Sequence, residues 1–125
     1  MALMDISTEI SRVMDLAGTL ENLGDDVELL QELMEFYMEM VPQQLDDLQA
    51  VLEAGDVAAV DMQAHGLKGG SANVGAIGVT EVAREMEMLA KGGSLEGAVE
   101  MMGRLRQEFT LLAEVVPNID WASLG

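Results

Sequence analysis

A chain of 125 residues with 23 acidic and six basic side chains, formal net charge −17 at pH 7, has room for one packed core but no basic face along which nucleic acid could lie. It contains no cysteine, which excludes disulfides and thiolate metal sites. It has no apolar run of about 18 residues and no basic-then-apolar leader, so a cytoplasmic protein without membrane contact is expected.

Half the residues are hydrophobic and only 3% are aromatic. The good helix formers Ala, Leu, Met and Glu dominate the periodic segments, which predicts an all-α fold. Ile6, Ile10, Val13, Ala17 and Leu20 recur at helical spacing and predict a short N-terminal helix over about 5–20, capped by Asp5 or Ser7. Gly24 breaks the chain, and Asp25 with Glu28 three residues on reads as a capping box. The second helix, about 26–54, carries Leu30, Leu33, Tyr37, Val41, Leu45, Leu48 and Leu52 on one stripe. Pro42 lies inside it, and because the stripe continues on both sides, one kinked helix is expected rather than two.

Gly55-Asp56 ends that helix and caps the third, about 57–74, whose stripe is Val57, Val60, Ala64, Leu67, Ser71 and Val74. Gly75-Ala76-Ile77-Gly78 reads as a turn. The fourth helix, about 79–91, is expected to bury Val82, Met86 and Leu89, with Ala83 and Ala90 beside them. Gly92-Gly93 stops it, and Ser94 is the expected cap of a last helix over about 95–116. That helix presents Leu95, Val99, Met102, Leu105, Phe109, Leu112 and Val116, and Pro117 ends it. The tail, 117–125, is polar apart from Ile119, Trp121 and Leu124, and either frays or packs back. Connections of about two to four residues turn neighbouring helices antiparallel. The expected architecture is a single domain over 1–125: an up-down-up-down antiparallel four-helix bundle over about 25–116, with the short N-terminal helix at one end.

One stretch stands apart, Ala64 to Gly75. It holds the sole histidine, His65, and Lys68, the only basic side chain between Arg12 and Arg84. It also holds Gly66, Gly69, Gly70 and Gly75. Each interior glycine costs a helix roughly 0.5–1 kcal/mol relative to alanine, so several of them signal close approach by another backbone or a ligand. His65 lies about 100° around the helix from Ala64, at the edge of the apolar stripe or beyond it. Its neighbours at i+3, i+4 and i+7 are Lys68, Gly69 and Ala72. An imidazole on a bare patch, with an ammonium one turn away, suits a group that a bulky partner must reach while an anion is exchanged.

The run His65, Leu67, Lys68, Gly69, Gly70, Ser71, Val74, Gly75 resembles the active-site helix of the histidine-containing phosphotransfer (HPt) domain of two-component phosphorelays, whose pattern is roughly His-x-(Leu/Ile)-Lys-Gly-small-small-x-x-apolar-Gly. That family also tends to carry Glu or Gln 22 residues after the histidine, here Glu87. The likeness covers about Asp25 to Val116. It implies a phosphorelay intermediate: His65 takes a phosphoryl group on Nε2 from the aspartate of one receiver domain and passes it to another. It implies that Glu87 accepts a hydrogen bond from Nδ1–H and orients the ring, and that Lys68 neutralises phosphoryl oxygens. The implied partners are response-regulator receivers and a hybrid sensor kinase. Gly66, Gly69 and Ala72 are expected to form the partner-binding patch. The protein is expected to be a monomer with no intrinsic cofactor, Mg²⁺ coming from the receiver, and to lack ATP-dependent kinase activity of its own, since no nucleotide loop or kinase signature is present.

Other readings of the same residues are weaker. A lone imidazole without cysteine or a His-x-x-x-His partner makes a poor transition-metal site. Ser71, six residues from His65, points away from it on one helix, which removes a hydrolase triad. Lysine precedes glycine and no strand precedes either, so no P-loop is present. No calcium-loop pattern accompanies the 11 methionines, which are expected to fill the core. Gly70 and Ser71 are expected to pack against a neighbouring helix. On position alone Glu87 reads as a solvated glutamate. The alternative from another class is a non-catalytic acidic helical adaptor.

Overall fold

The computed structural model describes residues 10–124, so the Asp5 or Ser7 cap and the Ile6 position of the expected N-terminal helix lie outside the described residues. After a helical turn at 10–13 come α1 (Leu16–Asn22), α2 (Val27–Glu53), α3 (Val57–Asn73), α4 (Ile77–Lys91) and α5 (Ala98–Val115). A 3₁₀ turn (Val116–Asn118) and the short α6 (Trp121–Leu124) follow. Among the described residues there is no strand. The all-α expectation holds.

α3 packs most extensively against α4 and next against α2, while α5 lies against α4 and, less closely, α2. Each long helix therefore has two helical neighbours around one core. Met34, Val41, Val60, Ala64, Met86 and Leu105 are wholly enclosed there. Burying a Leu, Val or Met side chain contributes about 1.5–3 kcal/mol relative to leaving it exposed, so these stripes hold the assembly. The tail packs back: Ile119 is buried, and α6 contacts α2.

Several local expectations are corrected. The N-terminal helix is not continuous to residue 20. It breaks at Met14–Asp15, because the Asp15 carboxylate caps α1 through Gly18 N–H at 3.0 Å while the Asp15 N–H is given to Gly75 O at 2.8 Å. Asp25 is not the cap of α2. It has positive φ in the turn, and Asp26 accepts from Leu29 N–H instead, so the Asp25–Glu28 box does not form. As expected, α2 is one helix rather than two, with Pro42 exposed inside it. Met34, rather than Leu33, completes its buried stripe.

α4 begins at Ile77, two residues before the expected start, so Gly78 is helical. α5 begins only at Ala98 behind Gly97. Ser94 Oγ instead accepts from Glu96 N–H in the preceding turn. Ala98 and Val115 point inward in place of Val99 and Val116, and Val99 is exposed, while Met102, Leu105 and Leu112 keep their expected inner positions. Leu89 is half-buried and Glu87 takes the inner position.

Two features set α3 in place. Asp56 caps its start through Ala59 N–H, as the sequence suggested. Gly75 ends it with φ +73°, the Ala76 N–H returning to Ser71 O and the Gly75 N–H to Ala72 O. A Cβ at residue 75 would also stand 2.8 Å from Asp15 O, so this glycine serves both the left-handed stop and the seat of α1.

Candidate functional site

α3 turns Val60, Ala64, Leu67 and Ser71 into the core, which leaves His65 on the opposite flank with its side chain 68% exposed. Beneath the ring is Glu87 of α4. Its position follows from packing: Ala83, Glu87 and Ala90 share the buried line of α4, and the alanines on either side leave room for the longer side chain to reach α3. The Glu87 side chain is only 5% exposed.

The carboxylate is shared. Oε2 lies 2.5 Å from His65 Nδ1, and Lys68 Nζ donates to Oε1 at 2.6 Å. A carboxylate accepts only, so Nδ1 carries the proton, which leaves the lone pair of the neutral ring on Nε2. Lys68, first, holds the Glu87 carboxyl below the usual glutamate range; burial pushes the other way, and His65 adds to the lowering. A lowered carboxyl adds stability above the ordinary glutamate range and loses it as the pH falls through the folded value. The network is thus complete at neutral pH and fails in acid.

The glycines separate into two kinds. Around Gly66, Gly69 and Gly70 an added Cβ would meet nothing within 4 Å among the described residues. Gly70 therefore does not pack against a neighbouring helix, contrary to expectation, because it lies on the outer side of α3 where no helix covers it. Ser71 does pack: its Oγ lies 2.7 Å from the buried Tyr37 hydroxyl of α2. Burial pushes the Tyr37 phenol up to about 12, with the Ser71 hydrogen bond acting the other way. Ala72 is exposed beside the open glycines. Met62 and Met88, expected as core, are 70% and 65% exposed on α3 and α4.

His65, Lys68 and Glu87 come together as the sequence suggested, and Gly66, Gly69 and Ala72 lie open on the outer side of α3. Lys68 does not stand free over the ring; it is held by Glu87. Sequence reasoning missed Asp61 and Lys91. Lys91 Nζ lies 3.3 Å from Asp61 Oδ1 and 3.9 Å from Glu87 Oε2. The signal was available, since Asp61 is four residues before His65 and Lys91 four after Glu87. Among the described residues no cluster of His, Asp or Glu could hold a metal ion, and no helix is long and apolar enough to cross a membrane. A concavity of about 770 Å³ between 10–17 and the tail contains none of these side chains. The His65 ring is thus offered to solvent rather than enclosed.

An exposed imidazole with one nitrogen held by a buried carboxylate thus stands on the flank of an all-helical fold. The Hpt domain family matches residues 32–115. The chain belongs to that family. It is similar to the crystal structure of histidine-containing phosphotransfer protein B from Pseudomonas aeruginosa, with 29% identity and a TM-score of 0.66 over 82% of this chain and 93% of that one. It is also similar to a histidine-containing phosphotransfer protein from Medicago truncatula, with 26% identity and a TM-score of 0.77 over 98% of this chain and 86% of that one. No curated protein matches the chain in sequence.

Proposed function

We propose that the chain is a phosphorelay intermediate in which His65 accepts a phosphoryl group from the aspartate of one receiver domain and gives it to another. The observation that carries this reading is the Glu87–His65 hydrogen bond at 2.5 Å beneath an otherwise exposed ring. The Nε2 lone pair attacks phosphorus, the bond from phosphorus to the aspartyl oxygen breaks, and the carboxylate leaves with that electron pair. The ring then has Nδ1–H and Nε2–P and carries positive charge, which the Glu87 carboxylate faces. Return to a second aspartate reverses each step. Lys68, within reach of the same carboxylate, supplies positive charge for the incoming oxygens.

The open surface at Gly66, Gly69 and Ala72 suits docking of a receiver, which brings the Mg²⁺; this chain needs no cofactor of its own. The ring of helical contacts α2–α3–α4–α5 and their short connections support an up-down-up-down antiparallel bundle forming a single domain, acting as a cytoplasmic monomer. A hybrid sensor kinase is the expected source of phosphate.

The test is phosphate transfer from a labelled phospho-receiver. Label should be acid-labile and base-stable, as on a phosphoramidate, and His65→Gln should abolish it while leaving the melting temperature unchanged. A His65→Gln protein that accepts label at the normal rate overturns the assignment.

A further inference from the structure

Phosphotransfer on His65 uses Glu87 and Lys68 and leaves two charged neighbours without a role. Asp61 lies one turn before His65 on α3, and Lys91 lies one turn after Glu87 on α4. Lys91 Nζ is 3.3 Å from Asp61 Oδ1 and 3.5 Å from Oδ2, but 3.9 Å from Glu87 Oε2, so it sits closer to the aspartate. Asp61 Oδ1 is closed off from solvent and accepts no hydrogen bond among the described residues. Water therefore does not screen that oxygen, and the nearby ammonium is what balances it. Lys68 is committed elsewhere, at 2.6 Å from Glu87 Oε1.

Lys91 pairs with Asp61 as Lys68 pairs with Glu87, so the Asp61 charge is offset on a protein whose net charge is −17. Cancellation matters at this place. A phosphoryl group arriving on His65 brings negative charge to within about a helical turn of Asp61, and a bare carboxylate there would oppose it.

We infer that Lys91 is a positioning residue for phosphoryl acceptance that acts through Asp61, cancelling the carboxylate one turn from His65. Asp61 in turn keeps Lys91 off the Glu87 oxygen that holds Nδ1. The inference rests on the phosphotransfer reading of His65 and adds the pair that sets how readily that histidine takes up charge.

The experiment measures single-turnover phosphohistidine formation on the intact chain from two donors, a phospho-receiver and phosphoramidate. Phosphoramidate needs no docking: its P–N bond breaks, ammonia leaves, and a new P–N bond forms to Nε2. Lys91→Ala should slow both reactions about three- to tenfold, the effect of one unit charge at a helical turn's distance in a largely aqueous setting. Lys91→Ala combined with Asp61→Asn should return to within about twofold of wild type, and Lys91→Arg should keep the normal rate. A bystander ion pair would give no such rescue. A Lys91→Ala protein as fast as wild type overturns the inference. A double variant as slow as the single one also overturns it, by showing that Lys91 meets the phosphoryl group directly. A wild-type chain inert to both donors fails differently, sparing no variant, and overturns the phosphotransfer reading together with this one.

Discussion

On its inner side α3 buries Val60, Ala64, Leu67 and Ser71; on its outer side it sets His65, Gly66, Gly69, Gly70 and Ala72 in the open. The same helix thus carries one face where every atom has a neighbour and one where a new side chain would meet nothing. The difference teaches what each glycine is for. Gly75, at the end of the same motif, is required by the backbone and by α1, whereas Gly66, Gly69 and Gly70 are required by neither. Their helix-weakening cost is unexplained by the fold, and the proposed docking of a receiver at His65 would account for it.

The largest expected effect tests the inner face. Leu67→Ala removes a side chain that is 2% exposed and should lower the unfolding free energy by about 2–5 kcal/mol in a denaturant titration. The rate from phosphoramidate, measured below the transition, should stay near wild type. A loss of only a few tenths would mean that the inner face is not the packed one.

The outer face should respond in the opposite sense. Gly69→Gln introduces a better helix former and should melt no lower than wild type, with a gain of roughly 0.5–1 kcal/mol if the whole propensity difference is realised. Transfer from a phospho-receiver should fall at least about tenfold, equivalent to about 1.4 kcal/mol of lost docking, while the phosphoramidate rate holds. A destabilised variant, or a stable one with normal transfer from the receiver, would erase the distinction between the faces.

The smallest effect sharpens the comparison where α2 meets α3. The Tyr37 phenol is pushed up from 10.0 to about 12, so the folded state keeps a proton that the unfolded chain releases. Stability is therefore full below pH 10.0 and declines as the pH rises toward about 12. Tyr37→Phe should remove that alkaline decline, at the cost of leaving the Ser71 hydroxyl without its partner. Urea midpoints across the alkaline range read both. A wild-type decline that persists unchanged in the variant would place its origin elsewhere.

Much of the bundle was legible because helix period and side-chain burial report the same thing. The α3 stripe from Val60 to Val74 was read correctly, as were the Asp56 cap and most inner positions of α2. The ends were less legible. Asp25 and Asp26 are equivalent caps by residue type, and only the positive φ at Asp25 separates them. Ser94 is a good cap by type, yet the chain makes a further turn before Gly97 starts α5. The break at Asp15 could not be read locally at all, because the group that takes its N–H is Gly75 O, far along the chain.

The sequence by itself determined an acidic all-helical chain with one histidine, one nearby lysine and a run of small residues on one helix face. Composition and local period suffice for those, since each depends on residues within a turn or two. Tertiary structure alone decided what the charges do. It buried Glu87 among alanines, aimed it at Nδ1, gave its second oxygen to Lys68, and set Lys91 against Asp61. A carboxylate's role depends on whether water or a neighbouring helix surrounds it, and the packing of α3 on α4 settles that choice.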